Sequence, residues 1–292
     1  MAEEKVYRFI DPLTDYGFKK LFGNKDHCEL LVDLLNALIR PEFLIIDIFF
    51  RNTELLSPSK YGRRIIFDIY ATDSEGNTFI VEMQRVKEKH FKDRSLFYAS
   101  GSIGEQEKKG EWEFGLTKTY MLCFMDFCFE DTLPEKAVHE VKLLDAHTGQ
   151  LFTDKLMFWY IELPKCKKAF NELASRADKW LYLLVNLGRM TGIPAVFETD
   201  SIFKQLFMNA ATPNMTRKEY VDYLINRKGE GVYNSVMATA REDGMEEGLE
   251  RGIQKGTTDT LVKIARQMKI TNEPLEKIAA LTGLTAAEIT GL

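Results

Sequence analysis

The spacing of hydrophobic residues predicts a helix and then a group of strands in the first half of the chain. Residues 26–40 ("DHCELLVDLLNALIR") repeat leucine every three or four positions, as on the buried face of a helix, and Pro41 stops the pattern. The segment 43–50 ("FLIIDIFF") predicts a strand. Residues 63–72 and 78–84 predict the two strands of a hairpin.

A second helix and further strands follow the hairpin. The segment from Lys87 to about Lys109 predicts a helix that is polar on one side and ends near Gly110. The sequence "GLTKTYMLCFMDFCF" predicts a long buried strand, and "VHEVKLLD" and "KLMFWYIEL" predict two more. This order of elements predicts an α/β (α+β) fold in which helices flank a central mixed β-sheet.

The second half of the chain is predicted to be helical. The segment "AFNELASRADKWLYLLVNLGRM" predicts an amphipathic helix, and nothing after Pro164 alternates with a period of two. We therefore expect a sheet domain over 1–164, a helical region over 165–239 and a tail over 240–292. The tail is expected to hold a glycine-spaced segment and a small helical terminus.

The hairpin sequence "FDIYATDSEGNTFIVEMQR" carries acidic residues inside otherwise apolar strands. Because side chains of a strand alternate between its two faces, Phe67 is expected to share a face with Ile69, while Asp68 points to the other side. In the second strand, Glu82 and Gln84 share one face by the same rule. The register of the hairpin then decides whether the two acids meet.

A turn of defined length fixes that register. A three-residue loop ending at Gly76, with the glycine in the left-handed conformation, is a common hairpin connection. It makes Asp73 and Asn77 the closing pair, and it places Asp68 directly opposite Glu82 with β-carbons ~5 Å apart. Two carboxylates at that separation repel each other, so either one of them holds a proton or a cation lies between them.

Two interpretations of this acidic pair follow from the geometry. Carboxylate oxygens are hard ligands, and a cation between them would be Mg²⁺ or Mn²⁺. In the other interpretation, one or both acids face solvent, or a β-bulge shifts the register and separates them.

The composition limits the classes of protein to which the chain can belong. A formal charge of −5 gives no overall field that attracts nucleic acid, so a DNA contact would need a local basic patch or a metal ion. The start "MAEEKVYRFIDP" lacks the features of a signal peptide, and the most apolar stretch, "YMLCFMDFCF", is too short to span a membrane. We expect a cytoplasmic protein that does not enter a membrane.

Four stretches of the sequence, in this order, resemble the Rpn family of recombination-promoting nucleases, also described as PD-(D/E)xK nuclease family transposases. They are "DPLTDYGFKKLFGN", "LLVDLLNALI", "FDIYATDSEGNTFIVEMQR" and "KDRSLFYASGSIGEQEKKGEWEFGLTKTYMLCFMDF". The resemblance is detailed over the first half of the chain and loose over the helical remainder. It implies a restriction-endonuclease-like core followed by an all-helical C-terminal region.

The resemblance also implies roles for the hairpin residues. Asp68 would be the metal-binding aspartate, Glu82 the second acidic ligand, and Met83 a further metal-binding position. Gln84 stands where many relatives have lysine; it would orient the attacking water through hydrogen bonds but supplies no charge. Asp15 would be a further catalytic acid, for which Glu29 and Asp33 compete.

Three basic or aromatic residues near the hairpin are candidates for binding DNA. Arg94 and Tyr98 lie four residues apart on the predicted helix, match a pair in the family, and could contact a phosphate or pack that helix against the sheet. Arg85 opens the basic run "RVKEKHFKDR", the best local patch for DNA in an acidic chain. A solvated helix start explains the same run.

The tail contains "REDGMEEGLERGIQKG", in which glycine recurs at every fourth position. Each glycine inside a helix costs roughly 1 kcal/mol relative to alanine. A closely packed second helix would explain such glycines and would make the chain a homo-oligomer. A flexible, charged and partly helical linker, the interpretation that we favour, needs no partner. The final segment "LEKIAALTGLTAAEITGL" predicts a helix, a turn and a short helix.

The resemblance implies a metal-dependent DNA endonuclease that hydrolyses phosphodiester bonds and is linked to recombination or mobile elements. The alternative is a nuclease-fold protein without useful catalysis that binds DNA or a protein partner. Gln84 and the acidic net charge favour the alternative, and the Asp68–Glu82 register favours the enzyme.

Overall fold

The computed structural model describes residues 8–25, 27–40, 44–55, 65–107 and 113–292. The strands in these ranges are β1 (Phe49–Phe50), β2 (Glu54–Leu55), β3 (Ile65–Ile66), β4 (Ile69–Thr72), β5 (Thr78–Gln84), β6 (Thr119–Met125), β7 (Val138–Leu144) and β8 (Leu151–Glu162). The helices are α1 (Asp15–Phe22), α2 (Glu29–Ile39), α3 (Phe91–Gly104), α4 (Arg176–Asn186), α5 (Ala195–Glu198), α6 (Ser201–Ala210), α7 (Arg217–Ile270), α8 (Leu275–Thr282) and α9 (Ala286–Gly291).

Within the described residues, six strands form a mixed sheet in the order β1-β4-β5-β6-β8-β7. The strands β5, β6 and β8 run parallel at its centre, and the outer neighbours pair antiparallel. Helix α3 makes the crossover from β5 to β6, as a parallel pair requires. The strands β2 and β3 form a separate antiparallel pair. The predicted mixed sheet flanked by helices is therefore confirmed.

The two faces of the sheet belong to two separate hydrophobic clusters. On one face, Val81 and Leu122 pack with the leucines of α2 and with α1, α4 and α6. On the other face, Ile80 and Cys123 pack with Phe91 of α3. Strand β6 is buried on both sides, which explains why its sequence is a continuous apolar run rather than an alternating one.

The hairpin register follows the prediction. Ile69 pairs with Val81, and the ladder continues to the turn, where the amide of Asp73 donates to the carbonyl of Asn77 at 3.0 Å. Gly76 has a φ of +81°, the left-handed conformation expected of it. The three-residue turn therefore closes at the predicted pair.

The path into the hairpin differs from the predicted regular strand. The chain bends at Asp68 between β3 and β4, so alternation breaks there. Phe67 packs against Tyr70, with ring centroids 4.8 Å apart, and lies in the α3-side cluster rather than with Ile69. The predicted face of Phe67 was wrong because the alternation rule holds only along an unbroken strand.

Other boundaries also differ from the sequence analysis. Of the predicted strand 43–50, the described part forms a strand only at β1, because hydrophobicity alone does not supply a pairing neighbour. Pro41, Lys109 and Gly110 lie outside the described residues. Helix α1 was not predicted; Thr14 caps it by accepting a hydrogen bond from the amide of Gly17 at 3.0 Å.

The chain divides into two compact units, residues 1–230 and 231–292. In the second unit, Ile278 of α8 and Ile289 of α9 pack against Ala265 of α7, and Gly283 forms the turn with a φ of +69°. This confirms the predicted helix, turn and short helix.

The glycine-spaced segment of the tail is helical throughout, whereas the sequence analysis favoured a linker that is only partly helical. It lies inside the continuous helix α7, where the glutamate, arginine and leucine residues between the glycines favour the helix and Arg251 pairs with Glu247 at 2.5 Å. Met245, Leu249 and Ile253 are exposed along this segment.

None of the helices in the described part of the chain is both long enough and apolar enough to cross a membrane.

Candidate active site at the end of the central strands

The acidic pair lies where β5 ends, at the edge of the sheet reached by the carboxyl ends of the parallel strands. Glu82 and Gln84 are among the last three residues of β5, and Asp68 occupies the bend just before β4. Extending the register of the hairpin by one position beyond Ile69–Val81 places Asp68 opposite Glu82. In open α/β sheets, this edge is where ligands bind.

Reciprocal hydrogen bonds hold the two carboxylates together. The backbone amide of Asp68 donates to Oε1 of Glu82 at 3.2 Å, and the amide of Met83 donates to Oδ2 of Asp68 at 2.8 Å. Each acid thus accepts a hydrogen bond from the backbone of the opposite segment. The two side chains converge, as the register predicted, and do not point to opposite sides of the sheet.

Burial makes this pair electrostatically costly. Glu82 is buried and Asp68 is half-buried. Loss of hydration, together with the negative charge of Asp68, raises the pKa of Glu82 to about 8. Loss of hydration also raises the pKa of Asp68, although the hydrogen bond from Met83 and the charge of Lys19 oppose the rise. The site therefore favours either a bound proton or a bound cation.

Helix α1 contributes a lysine that the sequence analysis did not identify. The ammonium of Lys19 lies 2.5 Å from Oδ1 of Asp15 and 3.4 Å from Oδ1 of Asp68. Burial disfavours the charged form of Lys19, but the hydrogen bonds and charges of these two aspartates outweigh that effect and raise its pKa. Lys19 is therefore a fixed positive charge beside the acidic pair.

Of the three candidates for a further acid, the structure brings Asp15 nearest to the pair, through Lys19. Asp33 has a different environment: its carboxylate accepts hydrogen bonds from Arg176 at 2.6 Å and from the indole of Trp180 at 2.6 Å. Glu29 is the first residue of α2 and is exposed. The i, i+4 spacing of Asp15 and Lys19 in "TDYGFKK" was the signal that could have identified Lys19.

The side chain of Gln84 belongs to a polar network with α3. Its amide nitrogen donates to Glu88 at 3.0 Å and to the carbonyl of Val86 at 2.9 Å, and its oxygen accepts from Arg94 at 2.6 Å. Arg94 also pairs with Glu88 at 2.6 Å. Gln84 carries no charge itself, but it holds a guanidinium close to Glu82 and so supplies a positive charge indirectly.

The other predicted DNA-binding residues divide between two places. Arg94 lies over the ring of Tyr98 at 5.6 Å, so these two share a face as expected, and Tyr98 also packs edge-on against Phe67. Arg85 follows Gln84 on the strand, and its Nε is 3.8 Å from Oδ2 of Asp126. Arg85 thus lies beside Asp126, the residue that follows β6.

The basic run 85–94 is less positive than its sequence suggests. Lys87 pairs with Glu130 at 2.5 Å, and Lys92 pairs with Asp131 at 2.7 Å. Acidic residues in the loop after β6 thus neutralise two of its lysines, which the local sequence could not show. The interpretation of this run as the main DNA-facing patch is weakened accordingly.

The donor atoms at the site suit a hard divalent cation. Met83 lies beyond the last β4–β5 ladder pair, and its carbonyl points to the same side of the strand as its amide, which faces Asp68. Two carboxylates and one backbone carbonyl are the oxygen ligands that Mg²⁺ and Mn²⁺ prefer. Within the described residues, no three histidine, cysteine, aspartate or glutamate side chains cluster to hold a metal, so water and substrate would complete the coordination.

We expect the metal-free protein to lose stability as the pH rises, because of Glu82. Its pKa is about 8 in the folded protein against 4.5 ordinarily, so the folded state keeps a proton that the unfolded chain releases. The free energy of unfolding therefore falls between about pH 4.5 and about pH 8. Glutamine cannot ionise, so the stability of Glu82→Gln relative to wild type should grow by on the order of a few kcal/mol across that range.

Urea unfolding in EDTA, repeated at intervals from about pH 5 to about pH 8, measures this difference. The matched control is Glu75→Gln, which changes an exposed glutamate in the turn of the same hairpin. A stability difference between Glu82→Gln and wild type that stays constant with pH would contradict the expectation.

A family comparison agrees with the geometry of the site. The family model described as PD-(D/E)XK nuclease family transposase matches residues 12–240, which is more than half of the chain. The chain belongs to this family. The match to the PD-(D/E)XK nuclease family transposases confirms the resemblance found in the sequence, and the mixed sheet flanked by helices is consistent with a restriction-endonuclease-like fold. No curated protein and no solved structure gives a significant match.

The matched range of the PD-(D/E)XK nuclease family transposase model includes the acidic pair, Lys19 and the Gln84–Arg94 network. It ends at residue 240, inside α7 and before the glycine-spaced segment. The family therefore accounts for the sheet and the helices packed on it, while the end of the tail lies outside the match.

Proposed function

We propose that this protein is a metal-dependent DNA endonuclease that hydrolyses phosphodiester bonds, with a role in DNA recombination or mobile elements. The observation that carries the proposal is the convergence of Asp68 and Glu82 at the end of the central strands, with Lys19 beside them. Family membership supplies the reaction class, and DNA is accordingly the proposed substrate. The expected location is the cytoplasm.

The acidic pair would hold Mg²⁺ or Mn²⁺, with the carbonyl of Met83 as a third protein ligand. Such an ion, when bound, lowers the pKa of a coordinated water and stabilises negative charge on the phosphate. Cation binding also relieves the repulsion between Asp68 and Glu82, which adds to the loss of hydration in raising the pKa of Glu82. In this proposal the metal replaces the proton that Glu82 otherwise retains.

Two cationic side chains would divide the task that a lysine at position 84 performs in many relatives. Lys19 approaches from α1 and would attract the attacking water and the scissile phosphate towards Asp68. Arg94 approaches from α3, and Gln84 holds it in place. Asp15 would fix the ammonium of Lys19 through the 2.5 Å ion pair.

A second candidate function is a nuclease-fold module that binds DNA or a protein partner without useful catalysis. The observation that favours it is the engagement of Gln84, whose amide is hydrogen-bonded to Val86, Glu88 and Arg94. In this arrangement the amide orients protein groups rather than a water molecule. The neutralised lysines of the run 85–94 favour a protein partner over DNA.

Nicking of supercoiled plasmid separates the two functions. Purified protein is incubated with the plasmid in Mg²⁺ or Mn²⁺, and in a parallel reaction that contains EDTA. The endonuclease proposal expects relaxed and linear products that appear with either metal and disappear with EDTA. Intact plasmid under both metal conditions, with protein that is folded by circular dichroism, would support the non-catalytic module instead.

Replacing Lys19 with methionine should reduce nicking by about 10²-fold, because a positioned charge at the reacting phosphate is lost. Lys20→Met is the matched control, since the neighbouring lysine pairs with Glu219 instead of the acidic pair. Lys19→Arg should retain part of the activity. The measurement is the initial rate of nicking at saturating Mg²⁺, and equal rates for the Lys19 and Lys20 variants would contradict the assigned role.

Self-association through the tail is a separate proposal. Met245, Leu249 and Ile253 are 78%, 65% and 62% exposed and follow three glycines of the spaced segment, so a second copy could cover this stripe. We expect the full chain to sediment as an oligomer and Leu249→Glu to sediment as a monomer. A monomeric wild-type chain at all concentrations tested would reject oligomerisation.

A further inference from the structure

A cavity rich in arginine lies at the end of β5 and β6, away from the Gln84–Arg94 network. Its volume is about 570 Å³, which is within the range of pockets that bind small molecules. Four arginines and two aspartates line it, a formal surplus of two positive charges in a chain of charge −5. The charged residues are Arg8, Arg85, Arg189, Arg227, Asp11 and Asp126.

The cavity begins at Arg85, the residue that directly follows the end of β5. Gln84 faces α3, and Arg85, the next residue, lies in the cavity wall with its Nε 3.8 Å from Asp126. The amide of Asp126 donates to the carbonyl of Gln84 at 2.9 Å, so the two strand ends are fixed to each other. The cavity and the acidic pair therefore both border the end of β5, with Arg85 three residues beyond Glu82 along the chain.

The shape of the cavity wall depends on a glycine. A Cβ on Gly188 would lie 2.9 Å from the Cα of Asp11, so only glycine allows the segment before α1 to approach this closely. Arg189 follows directly and is exposed at the cavity. In the described part of the chain it forms no ion pair. Burial raises the pKa of Asp126, and the charges of Arg85 and Arg189 oppose that rise.

Hydrogen bonds hold two of the other arginines against the cavity. Arg8 donates to the carbonyl of Thr191 at 2.7 Å, and Arg227 donates to the hydroxyl of Tyr223 at 3.3 Å. The same hydroxyl accepts from the amide of Asp11 at 3.0 Å. The positive groups are thus arranged by the fold around a common space and are not scattered over the surface.

We propose that this cavity binds a phosphate of the DNA backbone next to the bond that is cleaved. The inference rests on the proposed function and adds the site that positions the substrate strand. Guanidinium groups bind phosphate with two parallel hydrogen bonds, and a nuclease without an overall positive field needs such a local site. Arg189 is the residue that contacts the phosphate, because it is exposed in the cavity and, unlike Arg85, it forms no ion pair within the described residues.

Binding of DNA in the absence of metal tests the proposal independently of cleavage. A short fluorescein-labelled duplex is titrated with protein in EDTA, and fluorescence anisotropy gives the affinity at several salt concentrations. Arg189→Glu should weaken binding about 10-fold or more, and Arg189→Ala should reduce the slope of log affinity against log salt by about one. Arg189→Lys should leave that slope unchanged.

The matched control is Arg217→Glu, an equal change of charge at an exposed arginine outside the cavity. Thermal melts establish that the variants fold. Equal affinities for Arg189→Glu and Arg217→Glu would overturn the proposal, as would a wild-type protein that does not bind the duplex. Adenosine monophosphate tests whether the cavity binds a free phosphate ester instead of DNA. If it binds in an Arg189-dependent manner without displacing the duplex, the proposal fails.

These outcomes are separable from the failure of the proposed function. Loss of DNA affinity in the Arg189 variants would support the cavity site even if the plasmid remains intact with Mg²⁺. Conversely, metal-dependent nicking that persists with unchanged DNA affinity in Arg189→Glu would leave the endonuclease standing and remove the cavity from its substrate path.

Discussion

Replacing Asp68 with alanine is expected to reduce plasmid nicking by at least about 100-fold, and Glu82→Ala should have the same effect. Substitution of residues that only support a metal ligand typically costs 10- to 100-fold, so loss of a ligand itself should cost more. Both carboxylates accept a backbone hydrogen bond from the opposite segment. Each alanine removes both oxygens of one carboxylate from the proposed metal site.

Two further variants show whether the loss is chemical. Asp68→Asn keeps the size of the side chain and an oxygen that can accept from the amide of Met83, but it removes the negative charge. It should fold like wild type and remain inactive. Asp93→Ala changes an exposed acid at the start of α3 and should nick at the wild-type rate. Nicking that survives both Asp68→Ala and Glu82→Ala comes from a contaminant and would remove the enzymatic proposal.

Replacing Gly17 with alanine should destabilise the protein by about 3 kcal/mol or more. A Cβ at this position would lie 2.0 Å from the carbonyl oxygen of Asp11 and 2.7 Å from Oγ1 of Thr14, so backbone atoms would have to move. The hydroxyl of Thr14 both donates to Asp11 at 2.8 Å and caps α1, and this turn would be disrupted. Because α1 carries Lys19, the acidic pair would lose its cation as well.

Gly104→Ala is the matched control for that prediction. Gly104 is also helical, but a Cβ there would meet nothing within 4 Å, so alanine should leave stability unchanged or raise it by up to about 1 kcal/mol. Urea unfolding of the two variants and wild type gives the comparison. A loss below about 1 kcal/mol for Gly17→Ala would mean that the Asp11–Gly17 turn relaxes easily.

Local rules were sufficient for the hairpin. A glycine at the left-handed position fixed the length of the turn, and the turn fixed which residues oppose each other, so the approach of Asp68 to Glu82 could be predicted without any tertiary information. The same rules failed at Phe67, because a bend at Asp68 interrupts the alternation on which they depend. The helical character of the tail was predicted in outline, but the continuity of α7 across the four glycines was not.

By itself, the sequence determined the mixed sheet flanked by helices, the family and the meeting of the two acids, because these follow from periodicity, turn geometry and motifs within short segments. Only the tertiary structure decided which cations accompany them. Lys19 and Arg94 reach the acids from helices on different sides of the sheet, and Glu130 and Asp131 neutralise lysines far from them in sequence. The physical reason is that charge interactions depend on distance through space, which chain folding sets and local spacing does not.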